Sequence, residues 1–138
     1  MPAHKTRILP WGLAVLWSAA AIAAGTALKS IDLTDFDDDL MHDMDDATKD
    51  LEPVLGANNA AVAATDAQVL RNGFKWTEDY FVRKGNTADA VKIARDGQEL
   101  IAAVVRSIGN KDFPAAAASA RDAAKTCRAC HDIYKPPK

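Results

Sequence analysis

Apolar residues return every three or four positions through four stretches of this chain, and clusters of Gly, Pro or Asn separate them. That repeat predicts amphipathic helices. In residues 35–51 the apolar face is Phe36, Leu40, Met41, Met44, Ala47 and Leu51, and Asp37, Asp38, Asp39, Asp43, Asp45 and Asp46 cover most of the remainder. Thr34 is the expected N-cap, and Pro53 and Gly56 are the expected stop. In residues 60–84 the stripe is Ala63, Ala67, Leu70, Phe74, Thr77 and Phe81, with Trp76 and Tyr80 beside it, Asn58 or Asn59 as cap and Gly85 as stop. In residues 87–108 it is Val91, Ala94, Gln98, Ile101, Val105 and Ile108, opened by Asn86 and closed by Gly109 and Asn110. Gly97 lies inside this helix, where glycine costs about 1 kcal/mol against alanine, and it marks a close approach to another helix or a ligand. In residues 114–134 the stripe is Ala117, Ala120, Ala124, Cys127, His131 and Tyr134, after Asp112 or Phe113 and ahead of Pro136 and Pro137. Four helices of this length with short connections predict an all-α, antiparallel up-down-up-down four-helix bundle over residues 31–138.

The first 30 residues follow a different pattern. Lys5 and Arg7 precede a run over residues 8–28 that holds no charged side chain. A basic start, an apolar stretch and small residues are the layout of an export signal. The run is also nearly long enough to span a bilayer. Residues 1–30 are therefore read either as a signal peptide or as an N-terminal membrane anchor, with residues 8–28 as the tether. In both cases the basic flank stays inside and the remainder crosses.

Composition narrows the classes further. The chain has 138 residues, a formal charge of −2 and 7 % aromatic residues, which suits one small helical domain. Lys5 and Arg7 are the only charged residues before position 29, leaving 15 basic against 19 acidic side chains beyond it. That balance argues against a nucleic-acid binder. No phosphate-binding Gly-rich loop, Ser/His/Asp set or H-E-x-x-H occurs, so no enzymatic role is expected.

The chemistry is concentrated in Cys127-Arg128-Ala129-Cys130-His131. C-x-x-C-H is the spacing of a covalent c-type haem site: both thiols bond the haem vinyl groups, and the adjacent imidazole ligates the iron. On a helix Cys127 and His131 share a face about 6 Å apart along the axis. These are the only two cysteines in the chain. A dithiol redox site lacks the strand–helix alternation of its usual fold. A zinc site lacks a second ligand pair, and a disulfide gives His131 no task. Export agrees with the haem reading and places the protein in the periplasm, soluble or held at the inner membrane. The small alanines of the last helix leave room that a flat porphyrin fills.

The order of parts resembles the class II cytochromes c, the cytochrome c-prime family, over roughly residues 32–138. The carrying elements are a leader, four helices and Thr126-Cys127-Arg128-Ala129-Cys130-His131-Asp132-Ile133-Tyr134 near the end of the last helix. The resemblance implies one haem c per chain, with His131 as the proximal iron ligand. It implies two kinds of member. Low-spin members place a first-helix methionine on the iron and carry single electrons between redox partner proteins. High-spin members leave the sixth site open and bind NO or CO. It also implies a homodimer through the first two helices.

The sixth ligand separates the two. His131 lies roughly 5 Å from the end of its helix, Met41 roughly 9 Å from the start of the first and Met44 roughly 14 Å. Height in an antiparallel pair therefore favours Met41, which is also where the family's ligand methionine commonly lies; Met44 is the second candidate and an open site the third. Core filling is the ordinary fate of a helical methionine. His42 is about 100° around the helix from Met41 and is read as a surface residue; His4 lies in the leader. The aspartates of the first helix suit a basic partner or simply a solvated face. Lys125, Arg128 and Lys135 suit haem propionates or the C-terminal end of the helix dipole.

Overall fold

The computed structural model describes residues 29–135. These residues form four helices and no strand: α1 (Asp38–Gly56), α2 (Ala60–Lys84), α3 (Ala88–Gly109) and α4 (Phe113–Tyr134). Each helix packs against its two neighbours in a ring, α1 on α2, α2 on α3, α3 on α4 and α4 on α1, with no diagonal pair. Connections of three residues force antiparallel neighbours, which gives the four-helix bundle that the apolar periodicity predicts. The signal or anchor expected at residues 1–30 lies outside the described residues except for its last two positions. No helix among the described residues is long and apolar enough to cross a membrane.

The helix ends follow capping chemistry. The carboxylates of Asp37 and Asp112 accept from the backbone N–H of Leu40 and Ala115, and the Asn59 side chain accepts from Val62, satisfying donors that a helix start leaves unpaired. Three ends differ from the sequence expectation: the start of α3, where Thr87 rather than Asn86 takes the cap position, and both ends of α1. α1 starts at Asp38 because Asp37 takes the cap, while Thr34 instead turns back onto Asp32 through its N–H and hydroxyl. α1 also runs through Pro53 to Gly56. The proline sits in the last turn, where little helix remains to be disrupted, and carrying on buries Leu55 completely.

The core forms as two clusters. The larger runs through the bundle from Leu55, Ala63 and Ala116 to Met44, Phe74 and Ala123. The smaller is largely aromatic and holds Tyr80, Phe81, Ala90 and Tyr134. The expected stripe of α2 is buried throughout. That of α3 is turned slightly: Ala90, Ala94, Gly97, Ile101 and Val104 are buried and Val105 is exposed. The cause is Gly97. A Cβ there would run into the Phe74 ring, so α3 presents its glycine to α2. Gly73 plays the same part on α2, where a Cβ would run into the Met44 sulfur.

These two contacts differ in stiffness, so they predict different costs. Gly97→Ala must displace a buried ring, and overpacking of that kind costs about 1–3 kcal/mol. Gly73→Ala meets a flexible thioether and should cost less. Urea unfolding of the two variants checks the order; equal stability for Gly97→Ala and the parent would contradict the close α2–α3 contact.

Candidate functional site

The motif occupies the last two turns of α4. Because the helix is continuous to Tyr134, Cys127, Cys130 and His131 keep the i, i+3, i+4 relation read from the sequence. Both cysteines are free and half-buried, and His131 is half-buried as well. The expected inward stripe of α4 is turned by about one residue. Ala116, Ala120, Ala123 and Tyr134 are buried, whereas Ala117, Ala124, Cys127 and His131 lie at the edge of the core. Alanine explains the shift: a helix with only methyl groups to bury can press its Ala116–Ala120–Ala123 line onto its neighbours, leaving Ala124 and His131 at the margin.

The thiols fall on different apolar clusters, a division that the sequence did not reveal. Cys127 packs against the larger cluster, and its Sγ is 3.8 Å from the Ala123 carbonyl oxygen, to which it donates. Cys130 packs against the smaller, aromatic cluster. Burial pushes the Cys130 thiol up to about 11, and the Cys127 and Asp89 charges push the same way. Burial raises the Cys127 thiol too. Burial lowers the His131 imidazole, with Lys135 acting in the same sense and Asp45 and Asp132 against it. It is therefore held toward the neutral form, the one that binds a metal.

Across from the motif stands α1. Asp45 acts on His131, and Thr48 is among the groups acting on Cys127; one turn further, Arg121 pairs with Glu52 at 2.7 Å. This register puts Met44 at about the height of His131 and Met41 about one turn nearer the end of the bundle. Seating works the other way. Met44 is 4 % exposed and lies on Gly73 of α2, as core filling would have it. Met41 is half-buried at the edge of the larger cluster. His42 is exposed, as read from its place off the stripe.

Between α1 and α4 runs a cleft of about 300 Å³ lined by Thr48, Glu52, Ala120, Arg121, Ala124, Lys125 and Arg128. Ala120 and Ala124 are its apolar lining on α4, and Arg121, Lys125 and Arg128 outnumber Glu52 around it. Lys125 pairs with Asp122 and Arg121 with Glu52. Among the described residues no three His, Cys, Asp or Glu side chains gather as a metal nest.

Sequence reasoning missed the fastening of the motif end. The Tyr134 hydroxyl donates to Asp89 at 2.6 Å, and the Lys29 ammonium donates to the other oxygen of Asp89, also at 2.6 Å. The backbone N–H of Lys29 donates to the Ile133 carbonyl at 3.0 Å. Lys29 and Tyr134 together hold the Asp89 carboxyl down to about 2. A second trio repeats the chemistry at the same end, with Tyr80 and Lys84 both donating to Asp35. Between the trios, residues 29–37 lie over the aromatic cluster through Ile31, Leu33 and Phe36. Pairings separated by 45 to 105 residues leave no local signal in the sequence.

Comparison with known protein families, characterised proteins and solved structures returns no match.

Two outcomes follow. Cys130 should be alkylated at pH 8 at least about tenfold more slowly than an ordinary thiol, since two units of pKa cut the thiolate share about a hundredfold and the greater nucleophilicity of a more basic thiolate restores only part of it. Urea should abolish the difference, as mass spectrometry of the alkylated peptide would show. The Asp89 carboxyl titrates lower in the folded chain than in the unfolded one, so its contribution is complete above about pH 4 and is lost as pH falls toward 2. Asp89→Asn should therefore lower the melting temperature at pH 7 and flatten its decline between pH 4 and 2; an unchanged decline would show that this trio does not couple to folding.

Proposed function

We propose that the protein is a c-type cytochrome carrying single electrons, with one haem c bound through Cys127 and Cys130 and ligated by His131. The observation that carries this reading is that both thiols and the imidazole lie, half-buried, on one unbroken helix whose Ala120, Ala124 and Arg128 line a cleft against α1. The donor set fits the group: two free thiols at attachment spacing, an imidazole held toward neutral, and small side chains where a flat ring would need room. When bound, haem supplies an iron that gains and loses one electron, at a potential that histidine–methionine ligation raises.

The protein's own residues have four tasks in this reading. Cys127 and Cys130 hold the ring through two bonds. His131 presents a neutral nitrogen. The apolar clusters on either side of the motif exclude water and keep the local dielectric low, which favours the less charged state of a redox centre. Arg121, Lys125 and Arg128 offer positive charge along the cleft to the ring's carboxylates. A redox protein exchanging electrons with this site would meet it from the cleft side, where α1 and α4 are least closely joined. Placement in the periplasm and a homodimer through α1 and α2 belong to the same proposal.

Met41 is proposed as the second iron ligand. It lies on α1 at the core edge and is free of the Gly73 contact that occupies Met44. A high-spin protein binding NO or CO is the second reading, and the seating of Met44 as core filling favours it if Met41 does not reach the iron.

Maturation in a host that attaches haem c, followed by intact-mass measurement, tests the proposal: a bare polypeptide would overturn it. Met41→Ala should turn a low-spin ferrous spectrum high-spin and open the protein to CO, with Met44→Ala leaving the spectrum as it was. The reverse pattern would transfer the role to Met44. A parent protein that binds CO at once would favour the gas-binding reading.

A further inference from the structure

The motif end of the bundle also holds Lys29, the first described residue. Lys29 is the first residue after the uncharged run over 8–28. Its N–H takes the Ile133 carbonyl at 3.0 Å, one of the acceptors that the end of α4 leaves without an internal partner. Its ammonium holds Asp89, in the first turn of α3, at 2.6 Å. No linker therefore separates the run from the clip. As a helix, its 21 residues would measure about 31 Å, against a hydrocarbon thickness of about 30 Å. The apolar core of an export signal is about 7–15 residues, against the 17 residues from Ile8 to Ala24 here.

We propose that residues 8–28 stay attached as a bilayer anchor and that the Lys29 clip turns the Cys130–His131 end of the bundle toward the lipid surface, so that the redox partner sits in that same membrane. One extended residue adds at most about 3.6 Å, so the last turn of α4 stays close to the point where the chain leaves the bilayer. The connections at 57–59 and 110–112 lie at the far end, about 33 Å away by the length of a 22-residue helix. Surface charge is not what holds the protein this way. Lys29, Arg83, Lys84 and Lys135 at this end are outnumbered by Asp32, Asp35, Asp37, Asp38, Asp39, Asp89 and Asp132; the tether and its clip set the orientation. The partner's location rests on the haem reading, whereas the orientation does not.

Amide hydrogen exchange tests the orientation without haem. The chain with residues 1–28 present is placed in phosphatidylcholine vesicles and compared with the same chain carrying twelve Gly/Ser residues inserted between Leu28 and Lys29. An insert of that length spreads over roughly 19 Å. In the parent, exchange in the 85–87 connection should slow several-fold relative to the 57–59 and 110–112 connections, and the insert should remove the difference. Equal exchange at both ends would overturn the proposal, as would slowing at 57–59 instead or a chain mass lacking residues 8–28. The expected exchange pattern in a protein that never acquires haem would uphold the orientation and sink the electron-carrier reading, so the two failures are distinguishable.

Discussion

The constraint on which this structure depends is that α4 has almost nothing but methyl groups to bury between Phe113 and Cys127. A helix of that kind cannot fill space; it can only come close. It does so along Ala116, Ala120 and Ala123, and the α1 side is left with a cleft. The same economy decides where the chemistry sits. Cys127 and His131 lie at the margin of the core rather than its centre, on the helix that leaves a cleft against α1. Gly73 and Gly97 are the counterpart on the other side of the bundle, where α2 is drawn onto α1 and α3 until the Met44 thioether and the Phe74 ring occupy the space of a missing Cβ.

The second determinant is the fastening of the motif end. Two trios of tyrosine, aspartate and lysine hold residues 29–37 across the aromatic cluster, one of them built on Tyr134, three residues past His131. Exposed ion pairs add little to stability, and most of the pairs on this surface are of that kind. These trios differ because each also ties down a tyrosine hydroxyl at the edge of a buried ring cluster and joins elements distant in sequence. They turn the end of α4 from a fraying terminus into a fixed platform.

Much of this was legible in the chain. The stripe of α2 is buried residue for residue, Asp112 and Asn59 cap where capping chemistry predicts, and Gly97 marks a close approach. These features are local, decided within a turn or two of helix. The departures share a different origin. α1 passes Pro53 because Leu55 gains a core position that no window of α1 alone could reveal. Val105 is exposed and Ala124 lies at the core edge because each helix is rotated to press its small residues, Gly97 on α3 and Ala116, Ala120 and Ala123 on α4, onto its neighbours. The spacing of the candidate site was legible to the residue, while its setting, with one thiol on each apolar cluster, was not.

The sequence alone therefore determined the number and order of the helices, their neighbours through short connections, and the spacing of two thiols and an imidazole on the last of them, because all of these follow from hydrogen bonds and periodicity within a few residues. The tertiary structure decided how far each helix rotates, which methionine is seated against a glycine, where a cleft remains and what holds the N-terminal segment to the end of α4. Those outcomes depend on surfaces meeting across the bundle, and close packing between partners distant in the chain cannot be read from either partner alone.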